Sequence, residues 1–187
     1  MKRKFVALMV AIVLSLTSLT ACGAKTPQDI VSEALDLDVS GGSEVSASDT
    51  HGGFHGDGTS CIVLTFQDDT VLEQIKANAD WHCLPVDETT QILVYGISGE
   101  ENHTAYQIGP YLGDSNGNPL VPEVQNGYYF LLDRQAEDDA AGKDILERNS
   151  FNFTFGLYDR TASRSYRVDY TGTSVQSRTA KTRLLPA

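Results

Sequence analysis

Basic residues are scarce in this chain: 14 Lys and Arg stand against 25 Asp and Glu, a net charge of −11. Such a surface repels phosphate backbones and anionic lipid heads. That excludes nucleic acid as a partner and a basic patch as the means of reaching a membrane. Cysteine is limited to Cys22, Cys61 and Cys83, whose spacing matches no zinc pattern. No Gly-x-Ser-x-Gly elbow, His-Glu-x-x-His pair or phosphate loop occurs, so three common enzyme chemistries lack their signatures. Repeats of solenoid length are missing as well. Long apolar runs are missing with one exception, Phe5 to Leu19.

That exception follows Lys2, Arg3 and Lys4 and runs into the small residues Thr20, Ala21, Cys22 and Gly23. At 1.5 Å per residue its roughly 15 residues reach about 22 Å, short of the roughly 30 Å hydrocarbon core. A charged start, a short apolar middle and a small-residue end together form a secretory signal. Leu19-Thr20-Ala21-Cys22 resembles the lipobox of bacterial lipoproteins. The resemblance implies a signal peptide over residues 1–21, a diacylglyceryl (palmitate-type) group on Cys22, and a lipid anchor with a short stem over residues 22–26. It places the mature protein on the extracytoplasmic face of the cell membrane. Removing the leader leaves 11 Lys and Arg against 25 Asp and Glu, a charge of −14. Attachment then falls to the acyl chains, and two chains hold where one is marginal.

With Cys22 assigned to lipid, Cys61 and Cys83 remain as an even pair in an exported chain, and a disulfide between them is expected. Closing that loop would add roughly 3 kcal/mol in the chain-entropy picture.

The body over residues 27–170 reads as one α+β domain, an antiparallel sheet of about five strands with two packed helices. Thr26 caps a helix that has Pro27 at its first position and Asp29 at its positive end. A weak strand around Ser43–Ser48 and a stronger one over Cys61–Gln67 form a hairpin. In the second strand Ile62, Leu64 and Phe66 point one way and Cys61, Val63 and Thr65 the other. Thr70-Val71-Leu72-Glu73 reads as a capping box opening a second helix. Trp81–Val86 reads as loop, Gln91–Ile97 as a strand, residues 100–126 mainly as loops, and Tyr128–Asp133 as a strand. Phe151, Phe153, Phe155 and Leu157 alternate with Asn152, Thr154, Gly156 and Tyr158, the pattern of a half-buried strand. Arg164–Tyr170 pairs back on it across Asp159–Ser163. One helical turn is expected near Asp144–Glu147. Residues 171–187 carry Arg178, Lys181 and Arg183 without an acid and read as a flexible basic tail.

His51, His55 and Asp57, with Asp49 nearby, are the best candidate ligand or metal site, because imidazole and carboxylate suit zinc and related ions. Residues four apart on a strand lie about 13 Å from one another. Only a folded-back loop would bring these together, and Gly52, Gly53 and Gly56 permit one. His82 or His103 could supply a third ligand. The plainer alternative is a glycine-shaped hairpin loop whose polar side chains satisfy backbone groups. Asp114-Ser115-Asn116-Gly117-Asn118 imitates the start of a calcium loop. Pro119 stands in the turn-glycine position and Gln125 in that of the bidentate acid, so a turn at Asn116-Gly117 is expected instead. Tyr128, Tyr129, Tyr166 and Tyr170 could line a sheet face that binds a peptide or glycan, or fill a core.

Asp49-Thr50-His51-Gly52-Gly53-Phe54-His55-Gly56-Asp57-Gly58, Asn118-Pro119-Leu120-Val121-Pro122-Glu123 and Gly127-Tyr128-Tyr129-Phe130-Leu131-Leu132-Asp133-Arg134 together resemble a family of small Gram-positive lipoproteins. The resemblance spans about residues 27–170. That family carries no assigned activity, so no catalytic residue and no cofactor is implied. The expected function is a non-catalytic binding or protective module with an envelope protein or glycan as partner. The alternative is an extracytoplasmic metal-binding protein or metal-dependent hydrolase using His51, His55 and Asp57.

Overall fold

The computed structural model describes residues 25–52, 58–101, 103–136, 144–162 and 164–172, with the backbone alone for residues 151 and 164–172. Residues 1–24, which hold the expected signal peptide and Cys22, and residues 173–187, the expected basic tail, lie outside the described residues.

Helix α1 (Pro27–Leu35) begins as its sequence dictates. Thr26 Oγ1 accepts from the Asp29 amide at 3.1 Å and Asp29 Oδ2 accepts from the Thr26 amide at 2.9 Å, a reciprocal cap that satisfies two otherwise orphaned donors. Strands β1 (Ser43–Asp49) and β2 (Gly58–Thr65) follow as the expected hairpin. Helix α2 (Thr70–Ala77) starts differently from expectation. Thr70 is its first helical residue and not its cap, because Asp68 Oδ1 takes the Thr70 amide at 3.0 Å and turns the chain one step earlier.

The next segment departs further. Trp81–Val86 contains a two-residue strand, β3 (His82–Cys83), laid against the sheet. The strand expected over Gln91–Ile97 is instead mostly helix α3 (Glu88–Val94). Asp87 caps it: Oδ1 accepts from the Thr90 amide and Oδ2 from the Thr90 hydroxyl, both at 2.8 Å. Thr89, Thr90, Ile92 and Val94 are β-branched, yet burial of Leu93 and Val94 to 0% exposure overrides that weak preference. β4 (Ile97–Glu101) and β5 (Thr104–Ile108) then form a separate two-stranded hairpin where mainly loops were expected.

β6 (Gly127–Asp133), β7 (Phe151–Asp159) and β8 (Arg164–Gly172) complete a six-stranded sheet in the order β1-β2-β8-β7-β6-β3, antiparallel at every pairing. A 3-10 turn at Ile145–Glu147, capped by Asp144 Oδ1 on the Leu146 amide at 2.9 Å, stands where one helical turn was expected. The class is α+β; among the described residues the main sheet has six strands where about five were expected, and there are three α-helices where two were.

The sheet is covered on both faces. Ile62, Leu64, Phe66, Phe130 and Tyr158 face α1 and α2, with Trp81 among them. Cys61, Val63, Tyr129, Phe153, Phe155 and Leu157 face α3, the 3-10 turn and Leu112 and Val121 from the 109–126 connection. β7 is therefore buried on both sides from Phe153 to Tyr158, not half-buried as its alternation implied. Gly156 explains the misleading pattern. A Cβ there would sit 3.0 Å from both Leu35 Cδ2 and Trp81 Cη2, so the apparent polar gap is a close approach of α1 to the sheet.

The expected Cys61–Cys83 disulfide does not form. Cys61 lies on β2 and Cys83 on β3, four strand spacings apart, about 19 Å, whereas a bridge needs Cα atoms within about 7 Å.

Candidate functional site

β1 runs out at Asp49, and the chain is then clamped to β2. The Thr50 amide and hydroxyl both donate to Thr59 O, at 2.9 and 3.0 Å, and Thr50 Oγ1 accepts from the Thr59 amide at 2.9 Å. His51 follows directly. Its amide donates to Asp49 Oδ1 at 2.9 Å and its ring Nδ1 lies 2.6 Å from the same oxygen. An ionised carboxylate only accepts, so Nδ1 carries the proton and Nε2 is the nitrogen left for a ligand. The side chain of His51 is 27% exposed and that of Asp49 65%. Gly58 makes this approach possible: a Cβ on it would stand 2.4 Å from His51 Cα and 2.5 Å from His51 N.

This pair lines a groove of about 530 Å³ together with Lys25, Pro27, Ile30, Ala47, Ser48, Ser60, Ile62 and Arg134. The groove lies across the α1 face of the sheet, at the end where β1 and β6 finish and β2 begins. Its floor is Ser60 and Ile62 of β2, and its roof is the first turn of α1. Arg134, one residue beyond β6, sends Nη2 to Thr154 Oγ1 on β7. Thr154 is fully buried, so the bond turns the guanidinium inward over the sheet. Burial pushes the Arg134 pKa below its usual value, but an arginine stays cationic at neutral pH. Lys25 pairs with Glu33 on the outer side of α1.

The chain matches no family model, no curated protein and no solved structure.

The other sequence candidates disperse. His55 and Asp57 lie outside the described residues. His82 packs on Tyr129, ring centroids 5.4 Å apart, on the opposite edge strand, about 24 Å from β1 by strand spacing. His103 caps the β4–β5 hairpin, with Nδ1 3.7 Å from Glu100 Oε1. Neither supplies a third ligand to His51, and among the described residues no group of three His, Cys, Asp or Glu is placed to hold a metal ion. The Asp114 loop is the expected turn: Asp114 Oδ1 accepts from the Asn116 and Asn118 amides at 2.8 and 2.9 Å, and Gly117 takes φ +83°. Those bonds, from Asn118 first and Asn116 next, outweigh the effect of burial and hold the Asp114 carboxyl below its usual pKa.

Tyr128 and Tyr129 do not share a face. Tyr129 is buried on the α3 side with its hydroxyl on Asp87 Oδ2 at 3.0 Å, and Tyr128 packs toward α1 and α2. Adjacent strand residues point oppositely, so the pair could never have lined one binding surface. The side chains of Tyr166 and Tyr170 lie outside the description.

Lys25, Ser60 and Arg134 line the groove without having been singled out as site residues. Ser60 stands opposite Asp49 in the β1–β2 register, which the hairpin expectation could have supplied. No sequence signal brings Arg134 to His51, because the strand order that does so is a property of the finished sheet.

Proposed function

We propose that this chain is a lipid-anchored binding module on the extracytoplasmic face of a cell membrane, held by a diacylglyceryl group on Cys22 and engaging a protein or glycan of the envelope. The observation that carries the binding reading is the groove itself, an open site of mixed polar and apolar lining beneath the start of α1. Its volume falls within the usual range of roughly 300–1,000 Å³ for ligand sites. The anchor reading draws on the lipobox, and the capped start of α1 at Thr26 leaves a very short stem after Cys22. On this reading the groove works close to the lipid surface. Labelled palmitate enters the wild-type chain, and Cys22→Ala abolishes incorporation and releases the protein from the membrane fraction. Incorporation into Cys22→Ala overturns the anchor.

The second reading, a metal-binding protein or metal-dependent hydrolase using His51, His55 and Asp57, is favoured by one contact. Asp49 holds Nδ1 of His51 as carboxylates hold metal-ligating histidines, leaving Nε2 for an ion. Elemental analysis of purified protein decides it. Bound metal that disappears in His51→Ala supports the reading, and protein that carries no metal after saturation with zinc refutes it.

A further inference from the structure

We propose that the outer edge of β1 is a docking surface for this chain's own basic tail, residues 173–187, which adds there as a further antiparallel strand. The inference stands apart from the lipid anchor and from any ligand of the groove.

β1 is the first strand of the sheet, and among the described residues no strand lies beyond it. Thr50 donates its amide to Thr59 O. By the two-residue period of the ladder, Ser48 and Ser46 also turn their backbone groups to β2, and Ala47 and Asp49 turn theirs outward. Natural edges are blunted by Lys, Pro or a bulge. β1 has neither Lys nor Pro, and its one irregularity, at Val45 between Glu44 and Ser46, leaves residues 46–49 in regular register. Every residue of β1 is exposed, and Val45 keeps 49% of its surface in water. An open edge of this kind takes an extended segment, whose backbone completes the ladder.

Length and direction name the segment. Ser60 of β2 pairs with Asp49 on one side and Asp169 on the other, so β8 reaches Gly172 at the same end of the sheet where β1 finishes. β1 and β8 run parallel, because each is antiparallel to β2. A chain leaving Gly172 crosses three strand spacings, about 14 Å, to lie outside β1, which takes about five residues. About ten then remain. Laid back along β1 from Asp49, they run antiparallel to it and bring Lys181, Arg183, Leu184 and Leu185 beside Glu44 and the exposed Val45. Pro186 has no amide to donate and ends the pairing.

Charge selects this edge over its rival. Residues 25–172 hold 8 Lys and Arg against all 25 Asp and Glu, a charge of −17, whereas residues 173–187 hold Arg178, Lys181 and Arg183 and no acid. β1 itself carries Glu44 and Asp49 and no base. The edge of β6 beyond Tyr129 is equally near to Gly172, but Asp133 there is already paired with Arg148 at 2.7 Å and the cation Arg134 comes next.

The test is hydrogen exchange of the full chain in non-ionic detergent, read by mass spectrometry on peptides covering residues 43–50 and 130–134. Deleting residues 173–187 leaves β8 whole and speeds exchange in 43–50 by about fivefold or more, the worth of one backbone hydrogen bond, with 130–134 unchanged. Arg178→Glu, Lys181→Glu and Arg183→Glu together give the same loss of protection. Thr179→Pro and Ala180→Pro serve if the deletion does not fold. Neighbours on a strand turn their amides opposite ways, so one of the two removes a donor to β1 and speeds the same exchange. Unchanged exchange in 43–50 in the folded deletion, or in both proline variants, overturns the proposal. So does faster exchange confined to 130–134, which would put the tail on β6. Protection of 43–50 that vanishes when the wild-type chain is diluted also overturns it, since the added strand would then come from a second copy.

Discussion

Asp87 joins two parts of the fold, and the energy of that joint can be measured. Its carboxylate caps α3 through Thr90, and it also receives the Tyr129 hydroxyl at 3.0 Å while its own amide donates back to that oxygen at 3.3 Å. Loss of the cap costs about 1 kcal/mol. The hydrogen bond to a charged acceptor adds about 1.5 kcal/mol, the low end of its range, because Asp87 is open to solvent on one side. Asp87→Ala should therefore lose about 2–3 kcal/mol, and Tyr129→Phe about 1–2 kcal/mol. The double variant should fall short of their sum by about 1 kcal/mol, since both remove one shared bond. Burial pushes the Asp87 pKa up, but the Thr90 and Tyr129 bonds outweigh it and the net direction is down. A depressed folded pKa contributes stability that is complete above the unfolded value near 3.9 and is lost as pH falls through the folded value. The gap between wild type and Asp87→Ala should thus be constant at neutral pH and shrink below about pH 4. Urea unfolding followed by the fluorescence of Trp81, the one tryptophan in the chain and 6% exposed, reads each value. Additivity within about 0.3 kcal/mol, or a gap that widens in acid, refutes the reasoning.

Three further outcomes follow from the fold. Leu64→Ala and Leu93→Ala, on opposite faces of the sheet and both fully buried, should each cost about 2–5 kcal/mol in the same unfolding assay; a cost under about 1 kcal/mol for either would mean that its face is open to water. Thiol titration without reductant should find Cys83 reactive in the folded protein and Cys61 only after unfolding, whereas two thiols that appear only after reduction would restore the disulfide. Gly58→Ala should destabilise by more than about 1 kcal/mol, because its Cβ would overlap His51; amide spectra with His51 unshifted would contradict that packing.

The elements legible from sequence were those specified by near neighbours. Thr26, Pro27 and Asp29 specify the start of α1 within one turn, and alternation over Cys61–Phe66 and Phe151–Tyr158 identifies β2 and β7. What escaped depends on distant partners. α3 is a helix because Asp87 bonds to Thr90 and reaches Tyr129, 42 positions away, and no local window contains that contact. The disulfide expectation rested on parity of count, which carries no information about strand order. At the site, His51 and Asp49 were visible as a pair close in sequence. Arg134 joined them only because β8 and β7 lie between β2 and β6.

That insertion of β8 has a consequence for the order of events in synthesis. β8 is the last described strand to be made, yet it pairs with β2 on one side and β7 on the other. Until residues 164–172 exist, β2 and β7 each have an edge without its neighbour, and neither core can close. Long-range pairing of this kind makes folding slow and late. Chains halted before Arg164 should stay as open, protease-sensitive threads with their strand edges bare to one another, while chains extended by those nine residues should become resistant in one step.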